Sequence, residues 1–181
     1  FGRKVRNLIA LDAYRSIFPT VKLAQDSKSA GRWNTNVGGE YYACGIGSAL
    51  AGRGADLLLV DDPHSEQDVI NGNFGVFEKA YEWFTFGART RLMPHGAVAI
   101  IQTRWHLDDL TGRVVRDMGK NERADQYDVV EFPAILDVLD KKTEKTVQKP
   151  LWPEFFDLEA LLRTKASMPV FQWNSQYQQQ P

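Results

Sequence analysis

Leu57-Leu58-Leu59-Val60, running into Asp61-Asp62, and Ala97-Val98-Ala99-Ile100-Ile101, running into Gln102-Thr103-Arg104, are the two stretches that decide the fold. A continuous apolar run that ends in polar residues is how a strand covered on both faces of a parallel sheet reads, and ligands of such sheets sit beyond the carboxyl ends of the strands. Two carboxylates and a Thr-Arg pair would then meet at one edge. That edge suits a nucleotide with magnesium.

Between these runs, Phe74, Phe77, Tyr81, Phe84 and Ala88 recur at helical spacing, which predicts an amphipathic helix from Asn73 to Leu92. Strand, helix, strand is a βαβ unit with a right-handed parallel crossover. Outward from it, Leu107, Leu110, Val114 and Met118 predict a further helix ended by Gly119, followed by a strand at about Tyr127 to Phe132. Asp137 to Lys149 is charged and reads as an exposed loop or loose hairpin. Asp157 caps a helix carrying Leu158, Leu161 and Leu162, and Pro169 opens a last segment with Phe171, Trp173 and Tyr177.

Toward the start, Phe1, Val5, Leu8, Ile9 and Asp12 have helical spacing with no N-cap residue ahead of them, so the chain reads as a fragment of something longer. Arg32 to Thr35, the turn Asn36 to Gly39, and Glu40 to Gly45 predict a hairpin. A glycine-punctuated loop carrying Arg53 precedes Leu57.

The 181 residues suffice for one domain with a sizeable core, taken as 1–181 with 137–181 as a tail. With 22 Lys and Arg against 23 Asp and Glu, the formal charge of −1 gives no global basic surface for nucleic acid, and leaves room for a local stripe. Cys44 is the single cysteine, which excludes an internal disulfide or a cysteine-built zinc site and fits a reducing, intracellular setting. No apolar stretch approaches the roughly 20 residues that span a bilayer, so no membrane role is expected.

Asp61 could hold Mg²⁺, a hard cation that takes one or two carboxylates beside phosphate oxygens, and Asp62 could position the attacking water. Asp-Asp-Pro-His could equally open a loop, since Asp is a common turn residue. Thr103 could hydrogen-bond a terminal phosphate or the attacking water, or be a β-favouring residue; Arg104 could bind phosphate or cap a junction. Arg53 could present a guanidinium to phosphate in its own or a neighbouring subunit. His64, His95 and His106 are too scattered for a metal cluster, and Trp33, Trp105, Trp152 and Trp173 are read as packing residues. No Gly-x-x-x-x-Gly-Lys-Ser/Thr occurs, because Gly119-Lys120 runs into Asn121.

The segments FGRKVRNLI, DSKSAGRWNTNVGGEYYACGIGSALAGRGADLLLVDDPHSEQD, TRLMPHGAVAIIQTRWHLDDLTGRV, LWPEFFDLEALL and FQWNSQYQQQP, in this order, resemble the large terminase subunits of tailed double-stranded DNA bacteriophages. That family joins an additional-strand P-loop ATPase to a nuclease and pumps the genome into a procapsid. This chain is similar to the later part of the ATPase domain. The resemblance implies an α/β three-layer sandwich with a mainly parallel sheet and without the Walker A segment, which would precede Phe1.

By the same resemblance LLLVDD is the Walker B strand, with Asp61 the Mg²⁺ ligand and Asp62 in the catalytic place where many members carry Glu. QTR is the coupling motif, implicating Gln102, Thr103 and Arg104 around the nucleotide, and Arg53 occupies the position of an arginine finger acting on the adjacent subunit. ATP and Mg²⁺ are the implied cofactors. The implied partners are double-stranded DNA, the portal protein, the small terminase subunit and further copies in a homo-oligomeric ring, within the host cell cytoplasm. Two rival readings are a non-catalytic interaction module and a metal-dependent nuclease using Asp61, Asp62 and His64.

Overall fold

The computed structural model describes residues 2–26, 29–50, 52–141 and 143–181. It is mixed α/β, with one parallel strand pair and two antiparallel hairpins. The chain divides into two compact units, residues 1–48 and 49–181.

The first unit contains α1 (Gly2–Ile9), α2 (Asp12–Ile17), β1 (Arg32–Asn34) and β2 (Glu40–Tyr42). Phe1, the first residue of the expected helix, lies outside the described residues. The expected hairpin forms, with Trp33 opposite Tyr41 and their rings stacked at 4.9 Å. Such aromatic cross-strand pairs hold short ribbons in register. Trp33 is the buried one of the pair.

The second unit is built on β3 (Ala55–Asp61) and β4 (Leu92–Ile101), which pair in parallel with Leu57 opposite Ala97 and Asp61 opposite Ile101. Between them run α3 (Glu66–Ile70), α4 (Gly75–Glu82), a π-helical turn (Trp83–Ala88) and a 3₁₀ turn (Arg89–Arg91). The single helix expected over 73–92 is therefore three short pieces, and the strand begins earlier than its apolar run. Two steps along β3, Ala55 to Leu57, match five along β4, Leu92 to Ala97, so β4 bulges. Pro94 cannot donate to a ladder and His95 has φ 69°, both suited to a looped-out position. Gly96 closes the bulge, since a Cβ there would lie 3.0 Å from the Ala55 carbonyl oxygen.

Residues alternate between the faces of a strand, and here the two faces differ. Leu58, Val60, Val98 and Ile100 pack with Phe84, Ala88, and Leu110 and Val114 of α5 (Leu110–Lys120). Fully burying a side chain such as that of Val60, Phe84 or Leu110 contributes about 1.5–3 kcal/mol. Leu57 and Leu59 are 62% and 55% exposed, and Ile101 is 58% exposed. Coverage on both faces, expected from the unbroken apolar run, is therefore corrected: among the described residues, helices cover one face only. An unbroken run marks strand propensity, while coverage depends on neighbours the run does not encode.

A second small core joins the hairpin β5 (Ile135–Asp140) and β6 (Lys145–Pro150) to α6 (Leu158–Ala166) and α7 (Val170–Gln178) through Ile135, Leu161 and Trp173. Asp157 caps α6 as expected, accepting the Ala160 N–H at 2.7 Å. Trp173 is buried and stacks on Tyr177, whereas Trp152 is 63% exposed and does not serve as a core residue. The strand expected at Tyr127 to Phe132 is absent. That segment joins no ladder.

Candidate functional site

The carboxyl ends of β3 and β4 lie side by side, and the ladder runs one step past β3 because the Asp62 N–H donates to the Ile101 carbonyl at 2.9 Å. Asp62 turns the chain with φ 43°, a left-handed conformation that Asp tolerates better than most residues. Its Oδ1 then accepts the Thr103 N–H at 3.3 Å, tying the exits of the two strands together. Asp61, opposite Ile101, shares the open face with Leu57 and Leu59 and is exposed. Two carboxylates and the Thr103 residue thus occupy one edge.

Past Thr103 the loop is organised by Asp109, which is fully buried. Its carboxylate accepts Arg104 Nε at 3.1 and 2.9 Å and the Trp105 N–H at 3.1 Å. It also accepts the Gly112 N–H at 2.8 Å, which makes it the N-cap of α5. Gly112 permits this closeness, as a Cβ there would stand 2.1 Å from the Leu107 carbonyl oxygen. Arg104 is therefore committed to Asp109, with Nη2 3.5 Å from the His106 carbonyl. Its guanidinium serves the loop rather than facing open solvent at the edge.

His64 is 5% exposed and its Nε2 accepts the Leu110 N–H at 3.1 Å, at the start of α5. Its ring meets Phe77 edge-on at 4.7 Å. Burial depresses its pKa below the ordinary imidazole value, with Asp109 and Asp68 opposing the shift. A neutral ring that accepts at Nε2 carries its proton on Nδ1. Because it braces α5 in this way, His64 is not available to a metal shared with the exposed Asp61. Among the described residues no cluster of three or more His, Cys, Asp or Glu side chains is positioned to hold a metal ion.

The remaining expected residues are spread out. Gln102 has both side-chain amide atoms buried with no hydrogen-bond partner among the described residues, beside a cavity of about 780 Å³ that also touches Thr111 and Arg104. Thr103 lines a separate cleft of about 300 Å³ with Glu66, Trp105, Gln176 and Tyr177. Arg53 precedes β3 at its amino end, roughly 25 Å along the strand from Asp61 at about 3.3 Å per residue. It does not reach the carboxyl edge of its own chain.

For a magnesium ion the donors fit: Asp61 is a solvent-facing hard oxygen ligand with Asp62 next to it, the one or two carboxylates such an ion takes along with water and phosphate. Sequence reasoning missed Asp109 and Glu66. Asp109 stands one residue ahead of Leu110, and an Asp in front of an apolar helical run is an N-cap signal; Glu66, at the first position of α3, carries no comparable signal. Among the described residues no helix is long and apolar enough to cross a membrane. No protein-family model matches the chain, and no curated protein matches it.

Proposed function

We propose that this chain is the Walker B and coupling-motif portion of the ATP-hydrolysing motor of a phage large terminase, which translocates double-stranded DNA into a procapsid. The observation that carries the reading is the link between the Asp62 carboxylate and the Thr103 N–H at 3.3 Å, across the carboxyl ends of a parallel strand pair. Ligands of parallel sheets bind at that edge. In this reading Asp61 holds Mg²⁺, Asp62 positions the attacking water, and Thr103 senses the terminal phosphate and passes its loss to the loop that Asp109 organises. The ion neutralises charge developing on the transferred phosphoryl group when bound.

Arg53, at the far end of β3, acts in this reading on a neighbouring subunit of a homo-oligomeric ring. The open face of β3 and β4 is where the remaining layer of a three-layer sandwich packs. The portal protein and the small terminase subunit are the further partners, in the host cell cytoplasm. The chain has no lysine-bearing phosphate loop, so alone it hydrolyses ATP weakly or not at all. The nuclease alternative is disfavoured by the placement of His64 in the core.

The test is Mg²⁺-dependent, DNA-stimulated ATP turnover by the intact packaging protein that contains this chain. Asp62→Asn lowers turnover on the order of 10²-fold or more, the scale of a lost general base. Normal turnover in that variant refutes the assignment. Absence of any Mg²⁺-dependent ATP affinity in the intact protein would point instead to an interaction module.

A further inference from the structure

We infer that the cleft beside Thr103 is a seat for a guanidinium group, the head of an arginine side chain presented to this chain from outside. The cleft, of about 300 Å³, is lined by Glu66 at the start of α3, by Thr103 and Trp105 after β4, and by Gln176 and Tyr177 on α7. Among the described residues none of these five side chains makes a hydrogen bond or an ion pair. Glu66 is exposed at the rim, and the other four are half-buried. Polar groups that converge on a concavity without bonding one another are served by water until a ligand with matching donors displaces it.

The walls of the cleft are braced from behind. The N–H and the hydroxyl of Ser65 both donate to Asp68 Oδ2 at 2.9 Å, which fixes the first turn of α3 and with it the root of Glu66. The Trp105 N–H is held at 3.1 Å by the buried carboxylate of Asp109. Tyr177 stacks on Trp173 with ring centroids 4.7 Å apart, and Trp173 is itself buried. Walls set in place beforehand reduce the ordering cost of seating a ligand.

The lining chooses the ligand. Glu66 supplies a negative charge, and among the described residues no Lys or Arg side chain lines the cleft to neutralise it. The hydroxyls of Thr103 and Tyr177 and the carboxamide oxygen of Gln176 add acceptors, while Trp105 and Tyr177 add aromatic surface. Together these select a flat cation with several N–H donors. A guanidinium pairs with a carboxylate through a planar fork and lies against aromatic rings, whereas an ammonium offers a point charge with neither fork nor plane. A metal ion gains no ligand from the rings, and a nucleoside leaves the carboxylate without a countercharge. The arginine belongs to a second copy of this chain or to another protein. The inference does not need the nucleotide reading; if both hold, a guanidinium sits next to the residue read there as the phosphate sensor.

Titration of the 181-residue chain with N-acetyl-arginine amide, without ATP or Mg²⁺ and followed by NMR, tests it. The Trp105 indole N–H and the Glu66 amide signals should move in a saturable way. N-acetyl-lysine amide should bind several-fold more weakly, and adenosine should leave both signals in place. Glu66→Gln keeps the shape and removes the charge, and should weaken arginine binding on the order of 10-fold, the scale of one charge-assisted hydrogen bond. Self-association in sedimentation that the arginine compound abolishes assigns the side chain to a second copy, and a monomeric chain that binds the compound assigns it to another protein. Absence of shifts overturns the inference, as do equal binding of the lysine and arginine compounds, adenosine in place of arginine, or an unchanged affinity in Glu66→Gln. Because no nucleotide is present, failure of the ATPase reading leaves this result untouched.

Discussion

Arg104→Met removes the guanidinium while keeping an apolar stem, and it tests whether the loop after β4 depends on its ion pair. Arg104 retains 19% of its side-chain exposure and Asp109 none. Taking away one partner of such a pair leaves a desolvated carboxylate, a change that costs about 3–5 kcal/mol. Surface ion pairs are worth about 0–1 kcal/mol, so the burial of Asp109 decides the outcome. Urea unfolding followed by circular dichroism measures it. With a slope of roughly 2 kcal/mol per molar, the midpoint falls by about 1.5–2.5 M. The double variant Arg104→Met with Asp109→Asn removes the stranded charge and keeps an acceptor for the Gly112 N–H, so it recovers part of the loss. A midpoint shift corresponding to less than about 1 kcal/mol, or a double variant as weak as the sum of its parts, refutes the argument.

Glycine substitutions in α5 should act in opposite directions. Gly112→Ala forces a Cβ onto the Leu107 carbonyl, and lowers stability by about 1–3 kcal/mol despite the better helix former. Gly119→Ala meets nothing within 4 Å and raises it by about 0.5–1 kcal/mol; both are read as shifts in melting temperature. The depressed pKa of His64 sets an acid limit. Its folded value lies below the unfolded one, so the unfolded chain binds more protons, and the stability from burying the neutral ring is complete above about pH 6.5 and lost as pH falls below it. His64→Gln, which keeps an acceptor for the Leu110 N–H and cannot titrate, flattens unfolding midpoints measured between pH 7 and pH 5. Asp125 is held below its ordinary value by Arg89, so its contribution is present above about pH 3.8 and lost below it, a separate and more acidic step. Arg89→Gln should erase that lower step in an acid titration followed by fluorescence.

The parallel pair and the first hairpin were legible because apolar runs and turn residues are local signals, and Asp157 was legible because an N-cap acts within three residues. The path of α5 was only half legible. Leu107 has the right spacing from Leu110 to extend the helix, yet it is 65% exposed, because Asp109 gathers the backbone N–H groups ahead of the first turn and starts the helix after itself. Tyr127 to Phe132 has strand composition without a ladder, since propensity counts for little until a partner edge is reached. At the edge, the sequence placed Asp61, Asp62 and Thr103 together from the strand ends alone. It could not separate Arg104 from them, because what claims Arg104 is a carboxylate brought near by a turn rather than by a strand.

The uncovered leucines of β3 also foretell how the molecule behaves in a tube. With a formal charge of −1 and an isoelectric point near 6.4, there is little mutual repulsion at neutral pH to keep one sticky sheet surface from finding another. Solubility should therefore climb in mildly alkaline buffer, where the molecule gains negative charge, and Leu57→Lys with Leu59→Glu should make the chain colloidally tolerant of concentration without disturbing the helices on the other side.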